Sequence, residues 1–323
     1  MTIRIGIAGF GNHALGRILP VIEADQRLTL AAIWTRSESS QALLRERGHT
    51  GITGDFAQFL STPMDVVYVA SPTGLHFEHT AAILKAGHHV WVEKPIGTSL
   101  EDVRQVVAMA ESGNRMLTEA FMFPWHAQAT AIRQVLAEGT IGKLRLVSLT
   151  FCFPHLAPDN FRYDPKRGGG AFLDHACYLV KALDSYVGGA WTVLGGCIEH
   201  GQYTVDISGA AQLRRSTDDV IANLNWGFGS TYINEIQFVG ERGRMLVESA
   251  FTKPASRSCN IILEDGQGNQ STVPVTREDP YGRMIDGFIQ QFGKPADWHG
   301  IRQDILRHAE RYFALHALLK RCH

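Results

Sequence analysis

A glycine pair set between a strand and a helix constrains this chain more than any other feature. The β-branched run Ile3-Arg4-Ile5-Gly6-Ile7-Ala8 leads straight into Gly9-Phe10-Gly11-Asn12-His13-Ala14, which opens a helix expected to reach about Ala24. In a Gly-x-Gly-x-x-Ala spacing the first glycine permits the tight turn and the second lets the backbone approach a pyrophosphate. A small third residue keeps helix and strand close, and the helix N-terminus offers N–H donors and positive potential. A ligand-free turn would tolerate the same glycines, so the surrounding pattern has to decide.

That pattern alternates strand and helix up to Glu119. Leu28 to Trp34 reads as a strand, with Ser37 capping a helix to about Arg47. Val66 to Ala70 and His89 to Val92 are short buried strands, each followed by a helix (Gly74 to Ala86, Leu100 to Glu111), and Arg115 to Leu117 is a last strand. Strands interleaved with helices predict a parallel sheet covered on both faces, with ligands beyond the strands' carboxyl ends. After a helix at Pro124 to Glu138, longer strands follow at 144–153, 192–199, 207–213, 220–226, 234–239 and 244–248, with shorter ones at 260–263 and 271–275. Helices are expected at 171–186, 281–292 and 301–319. The fold class is therefore α/β: an N-terminal Rossmann dinucleotide-binding domain over 1–119, and a C-terminal α+β domain over 120–323 with a large, mostly antiparallel open sheet for substrate binding and oligomerisation.

At 323 residues the chain exceeds one typical core, which agrees with two domains. A formal charge of -1 and a pI near 6.9 give no electrostatic footprint for nucleic acid. No apolar run approaches a membrane span. Five scattered cysteines without a Cys-x-x-Cys pair point to reduced thiols in a cytoplasmic protein, and the opening strand leaves no room for a signal peptide. The fourteen histidines lack metal-ligand spacing, so no metal site is expected.

The second strand ends Ile33-Trp34-Thr35-Arg36-Ser37, with no carboxylate at its tip to accept from ribose hydroxyls. Arg36 can stack on adenine or pair with a 2′-phosphate, and Thr35 and Ser37 can donate hydrogen bonds; equally, Arg36 is a solvated residue at a helix start and Ser37 an ordinary N-cap. NADP(H) is favoured, with NAD(H) the alternative. At the end of a later strand, Glu93-Lys94-Pro95 puts an ammonium group at the sheet's carboxyl edge, where partial desolvation would lower its pKa.

On these elements the chain resembles the glucose–fructose oxidoreductase / inositol dehydrogenase (Gfo/Idh/MocA) family. The likeness rests on Gly9-Phe10-Gly11, Ser71-Pro72-Thr73-Gly74-Leu75-His76, the run from Ala86 to Pro95, and Gly168-Gly169-Gly170-Ala171-Phe172-Leu173-Asp174 with Tyr178. The resemblance implies a nicotinamide cofactor held by Gly9, Phe10, Gly11, Asn12, His13, Thr35, Arg36, Ser37, Ser71, Pro72, Thr73, His76, Glu93 and Lys94. It implies hydride transfer to or from a sugar carbon, with Lys94 and Tyr178 catalytic and Arg162, Asp174 and Phe121 at the substrate. Glu93 either orients Lys94 or binds ribose, and His76 packs beside the cofactor.

Asp174 and Tyr178 lie four apart on an expected helix and would share a face, whereas His175 points off it. Glycines 168–170 would let that helix start close against a ligand. Tyr178 would protonate a carbonyl with Lys94 lowering its pKa; Asp174 would bind sugar hydroxyls; Arg162 would hold hydroxyls or a phosphate, or else form a structural salt bridge. Many family members carry His where Tyr178 stands. Trp226 to Asn234 and Glu248 to Pro254 are similar to the nucleotide-sugar 3-ketoreductase branch, although that branch usually has Arg where Glu248 or Ser249 stands. The expected activity is thus an NADP(H)-dependent oxidoreductase on a sugar carbonyl or alcohol, with a nucleotide-linked keto-deoxysugar, a free sugar or a trans-dihydrodiol as candidate substrates. A non-catalytic NADP-binding sensor is the reading from another class. The resemblance also implies a homodimer or homotetramer formed through the C-terminal sheet.

Overall fold

The computed structural model describes residues 2–321 and divides into two compact units. The first comprises the chain up to Ala120 together with Ile285–Ala309; the second comprises Phe121–Met284 together with the chain from Glu310.

In the first unit β1 (Ile3–Ala8), β2 (Leu28–Trp34), β3 (Ile52–Thr53), β4 (Val66–Val69), β5 (His89–Val92) and β6 (Leu117–Glu119) form a parallel sheet in the order β3-β2-β1-β4-β5-β6. Ile5, Ile7, all of β4 and Val90–Val92 are buried because helices cover both faces. These helices are α1 (Leu19–Ala24), α2 (Glu38–Glu46), α3 (Phe56–Ser61), α4 (His76–Lys85) and α5 (Leu100–Ser112). The chain order reverses between β1 and β4, the switch point at which such sheets take their ligands. Helix α1 is entered through a π-helical turn, Ala14–Ile18.

Two short elements, β3 and α3, were not expected from sequence. The last strand lies at 117–119 rather than 115–117, because Arg115 N still bonds Ala110 O at 2.7 Å, so that residue ends α5's C-terminal wrap. The residues after 119 do not all belong to one unit, as the sequence suggests they would. Instead, residues 285–309 pack in the first unit: Trp91 stacks on Phe288 at 4.6 Å, and Thr118 Oγ1 donates to Gln291 at 3.0 Å.

The second unit is built on β7 (Leu144–Phe153), β8 (Trp191–Glu199), β9 (Ser208–Arg215), β10 (Ile221–Phe228), β11 (Ile233–Gly240), β12 (Gly243–Glu248), β13 (Ile261–Asp265), β14 (Gln270–Val273) and β15 (Lys320–Arg321). Their order is β14-β13-β12-β11-β7-β10-β9-β8-β15, antiparallel except for the β7–β10 and β8–β15 pairs. Along β7, Val147, Leu149 and Phe151 are buried while Ser148 and Thr150 stay half-open, the alternation of a sheet covered on one face. α6 (Ala127–Ala137) and α7 (Cys177–Tyr186) contribute Ile132, Leu179, Val180 and Leu183 to that side's core. α8 (Pro280–Phe292) and α9 (Trp298–Leu318) complete the chain.

Candidate active site

In the first unit the ends of β1, β2 and β4 close around one residue. Gly9 has φ +89, donates to Trp34 O at 3.0 Å, and would place a Cβ only 2.6 Å from Ser71 N. Only glycine fits there. Gly11, by contrast, meets nothing within 4 Å of its Cβ direction, and Gly11, Asn12 and His13 are exposed. The second glycine therefore faces open space at a helix N-terminus, the arrangement that fits a pyrophosphate, while the buried Ala14 packs inward. Phe10 is buried as well, so in this loop it braces the turn.

Thr35 is buried, and its Oγ1 accepts from Ser37 N at 3.3 Å, so it shapes the turn rather than standing at its surface. Arg36 and Ser37 are exposed; Ser37 Oγ caps α2 by accepting from Ser40 N at 3.2 Å. A 2′-phosphate would therefore meet Arg36 and Ser37.

Glu93 follows β5. Its Oε1 lies 3.1 Å from His13 Nε2 and accepts from the Tyr68 hydroxyl, tying the glycine loop to two strand ends. Burial alone would raise this carboxyl, but His13, Tyr68 and Lys94 outweigh it and hold Glu93 below its ordinary value. Glu93 thus acts on the glycine loop, a role its motif did not disclose. Lys94 is half-buried, and the Lys94–Pro95 peptide is cis. His76 is fully buried, with Nδ1 2.7 Å from Pro95 O and Nε2 2.8 Å from Ser71 O. Its ring bridges the Glu-Lys-Pro turn to the Ser71-Pro72-Thr73 loop. Burial lowers its pKa.

In the second unit, Tyr178 is 4% exposed and sits edge-on to Phe121 at 5.5 Å and to Phe151 at 5.4 Å. Phe121 is itself buried and packs against the phenol ring. Arg162 Nε donates to Asp174 Oδ2 at 2.6 Å and its Nη2 reaches Oδ1 at 3.4 Å. These two expected substrate groups therefore hold each other. His175 is buried among Phe151, Phe153 and Phe228, with Nε2 3.5 Å from Asp174 Oδ2.

The helix carrying these residues begins with a π-turn, Phe172–Ala176, before α7. Such π-segments recur at functional sites. Two glycines of the run before this helix are packed tightly against the chain itself. A Cβ on Gly169 would lie 2.5 Å from Arg162 O, and one on Gly170 (φ +118) 2.4 Å from Asp206 Oδ1. Asp206 is the residue that sequence reading missed. Its Oδ2 accepts from Phe172 N at 2.6 Å and its carbonyl from Ala171 N at 2.9 Å, which caps the helix start. Burial pushes its carboxyl up to about 6. No local motif surrounds it; only the glycine run hinted that something pressed on this turn.

Lys253, within the ketoreductase-like stretch, is buried: Nζ donates to Gln128 Oε1 at 2.7 Å and to Ala250 O at 3.3 Å. Burial lowers its pKa to about 8. An unfolded lysine keeps its proton up to about 10.5, so between these values the unfolded chain binds more protons and folding stability rises with pH. Lys253→Met should remove this slope. The wild-type advantage over the variant, from chemical unfolding at each pH, should grow by on the order of 3 kcal/mol from pH 8 to 10.5. A difference flat with pH would count against a buried ammonium.

A dinucleotide loop at the switch point, a lysine at the adjoining strand end and an α+β second unit define an NAD-binding oxidoreductase with two units. Family comparison gives the same class. The profile described as "Oxidoreductase family, NAD-binding Rossmann fold" matches residues 3–121, and that of the GFO/IDH/MocA C-terminal domain matches residues 129–246. The chain belongs to the Gfo/Idh/MocA oxidoreductase family. It is 31% identical to dTDP-3,4-didehydro-2,6-dideoxy-alpha-D-glucose 3-reductase of Saccharopolyspora spinosa, over 89% of this chain and 87% of that one. It is 30% identical to D-xylose 1-dehydrogenase (NADP(+)) 2 of Haloferax volcanii, over 88% and 87%. Among solved structures, a 3-ketoreductase from Actinomadura kijaniata in complex with NADP and TDP-benzene superposes with a TM-score of 0.93 at 28% identity, covering 99% of both chains. That ketoreductase has also been solved with a tyrosine replaced by phenylalanine and with a lysine replaced by alanine. Among the described residues, no helix is long and apolar enough to cross a membrane, and no group of acidic, His or Cys side chains could hold a metal.

Proposed function

We propose that this protein is an NADPH-dependent 3-ketoreductase acting on a nucleotide-linked keto-deoxysugar. One observation carries the reading. The likeness to the Actinomadura ketoreductase runs the length of both chains, and the lysine and tyrosine replaced in that enzyme lie as far apart in its sequence as Lys94 and Tyr178 do here. When bound, the cofactor supplies hydride to the carbonyl carbon. Tyr178 donates its phenolic proton to the carbonyl oxygen, and the Lys94 ammonium stabilises the phenolate left behind. The ring wall around Tyr178 fixes the phenol and excludes water, while Arg162 and Asp174 hold each other where substrate oxygens are bound.

The test is NADPH consumption by purified protein with TDP-linked 3-keto sugars against free aldoses. Oxidation with the nucleotide-linked panel supports the reading. Turnover of free sugars alone would favour the second reading, a sugar dehydrogenase, to which the Haloferax relative lends weight.

NADP preference should reside in Arg36. Arg36→Ala is expected to raise the NADPH dissociation constant about 10- to 100-fold and leave NADH nearly unchanged, as the loss of a charge-assisted phosphate contact implies. Fluorescence titration with both cofactors checks this; equal losses for both would point to a general structural defect.

We also assign the protein to the cytoplasm, on the scattered cysteines, of which the four described form no disulfide. Self-association through the uncovered face of the second sheet, with the polar row Ser148, Thr150, Asn223 and Gln237, completes the reading; light scattering tests it.

A further inference from the structure

From Tyr178 a row of rings crosses the second unit. Centroids follow one another at 5.4 Å (Phe151), 4.4 Å (His175), 5.1 Å (Phe228), 5.8 Å (Tyr163) and 4.8 Å (Tyr203). The inner members are buried parts of the core, but the outer end differs. Tyr163 and Tyr203 are half-buried, come from the 3-10 turn Phe161–Tyr163 and the bend between β8 and β9, and stack at an interplanar angle of 19°. The exposed His155 joins them: its Nδ1 lies 3.1 Å from the Tyr163 hydroxyl, and its ring centroid 5.9 Å from that of Tyr203. Gly229 leaves room for that imidazole, since a Cβ there would lie 2.4 Å from His155 Nε2. Tyr203 adds nothing to the apolar core. A stacked tyrosine pair with polar edges at a loop surface suits a planar heterocycle, because every base has a π-face to stack.

Cations stand beside the middle of the row. His175 contacts Asp174, Asp174 holds Arg162, and the guanidinium groups of Arg162 and Arg167 lie 4.7 and 5.6 Å from the Phe161 ring. Arg162 is engaged by a carboxylate, whereas Arg167 is exposed. Phenol, guanidinium pair and stacked rings thus follow the order of sugar, diphosphate and base in a nucleoside-diphosphate sugar.

We propose that the Tyr163–Tyr203 stack is the nucleobase subsite and that Arg167, with Arg162, receives the diphosphate. This rests on the nucleotide-linked reading given above. It makes the nucleotide a handle bound by the second unit alone, remote from the reacting carbonyl.

The experiment is calorimetric titration of the full chain with thymidine diphosphate, thymidine and inorganic pyrophosphate, with no sugar present. The variants are Tyr203→Leu, Tyr203→Ala and Arg167→Gln, with melting temperature and NADPH affinity as controls for folding. Wild type should bind thymidine diphosphate. Both Tyr203 variants should weaken thymidine diphosphate and thymidine by about tenfold or more while sparing pyrophosphate, and Arg167→Gln should do the reverse for the two small probes. Tight thymidine diphosphate binding unmoved in all three variants would overturn the subsite and leave the nucleotide-linked reading standing. No binding by wild type, together with turnover of free sugars, would overturn both.

Discussion

Replacing Tyr178 by phenylalanine, or Lys94 by alanine, should lower kcat by about 10²- to 10⁴-fold, the range for removing a positioned general acid or the group that tunes it. The two variants are expected to differ in their controls. Phenylalanine preserves the ring that fills the space between Phe121 and Phe151, so Tyr178→Phe should fold as wild type and bind NADPH with near-normal affinity. Lys94→Ala empties a half-buried position at the end of β5, beside Glu93 and the glycine loop, and should weaken NADPH modestly as well. Rates near wild type in both variants would remove the proposed mechanism, whatever the substrate. The double variant is informative too: groups acting as a unit cost together little more than either alone.

How much was legible in the sequence follows from the range over which each signal acts. β4 and β5 stand out because strands buried on both faces must be continuous apolar runs, and β7 because a sheet covered on one side alternates. The Gly9 turn was legible for the same local reason. Packing across long separations left no trace: nothing around Phe288 announces that it will stack on Trp91. β3, only two residues long, carries too few side chains for any period. At the site, residue types were readable but their partners were not. Glu93 was placed correctly on its strand end, yet its pairing with Tyr68 and His13 depends on three elements meeting. Arg162 and Asp174 were each assigned to substrate, and each is held by the other. The glycine run before Phe172 shows the limit most plainly. A glycine declares that a Cβ has no room without declaring what fills the space, and at Gly170 a buried carboxylate fills it.

That carboxylate gives Gly170→Ala a large expected effect on stability. At φ +118 an alanine pays a backbone cost of about 1–2 kcal/mol, and its methyl would sit 2.4 Å from Asp206 Oδ1. The carboxylate must move away and release Phe172 N, a charge-assisted bond contributing roughly 1.5–3 kcal/mol. Together these give about 3–5 kcal/mol, measured as the loss in unfolding free energy. Because the displaced turn begins the helix that carries Asp174 and Tyr178, turnover should fall in the same variant, even under conditions where it stays folded. Asp206→Asn separates the two contributions. The amide oxygen can still accept from Phe172 N, so the cost should be about 1 kcal/mol at neutral pH. It should also abolish a pH dependence that wild type owes to this group. The folded carboxyl titrates at about 6, above the unfolded value of 3.8, so its stabilisation is complete below the latter and is lost as pH rises through the former. Wild type should therefore gain on Asp206→Asn as pH falls from 6 towards 4. Gly170→Ala within 1 kcal/mol of wild type would mean that the Asp206 cap is not what fixes this helix.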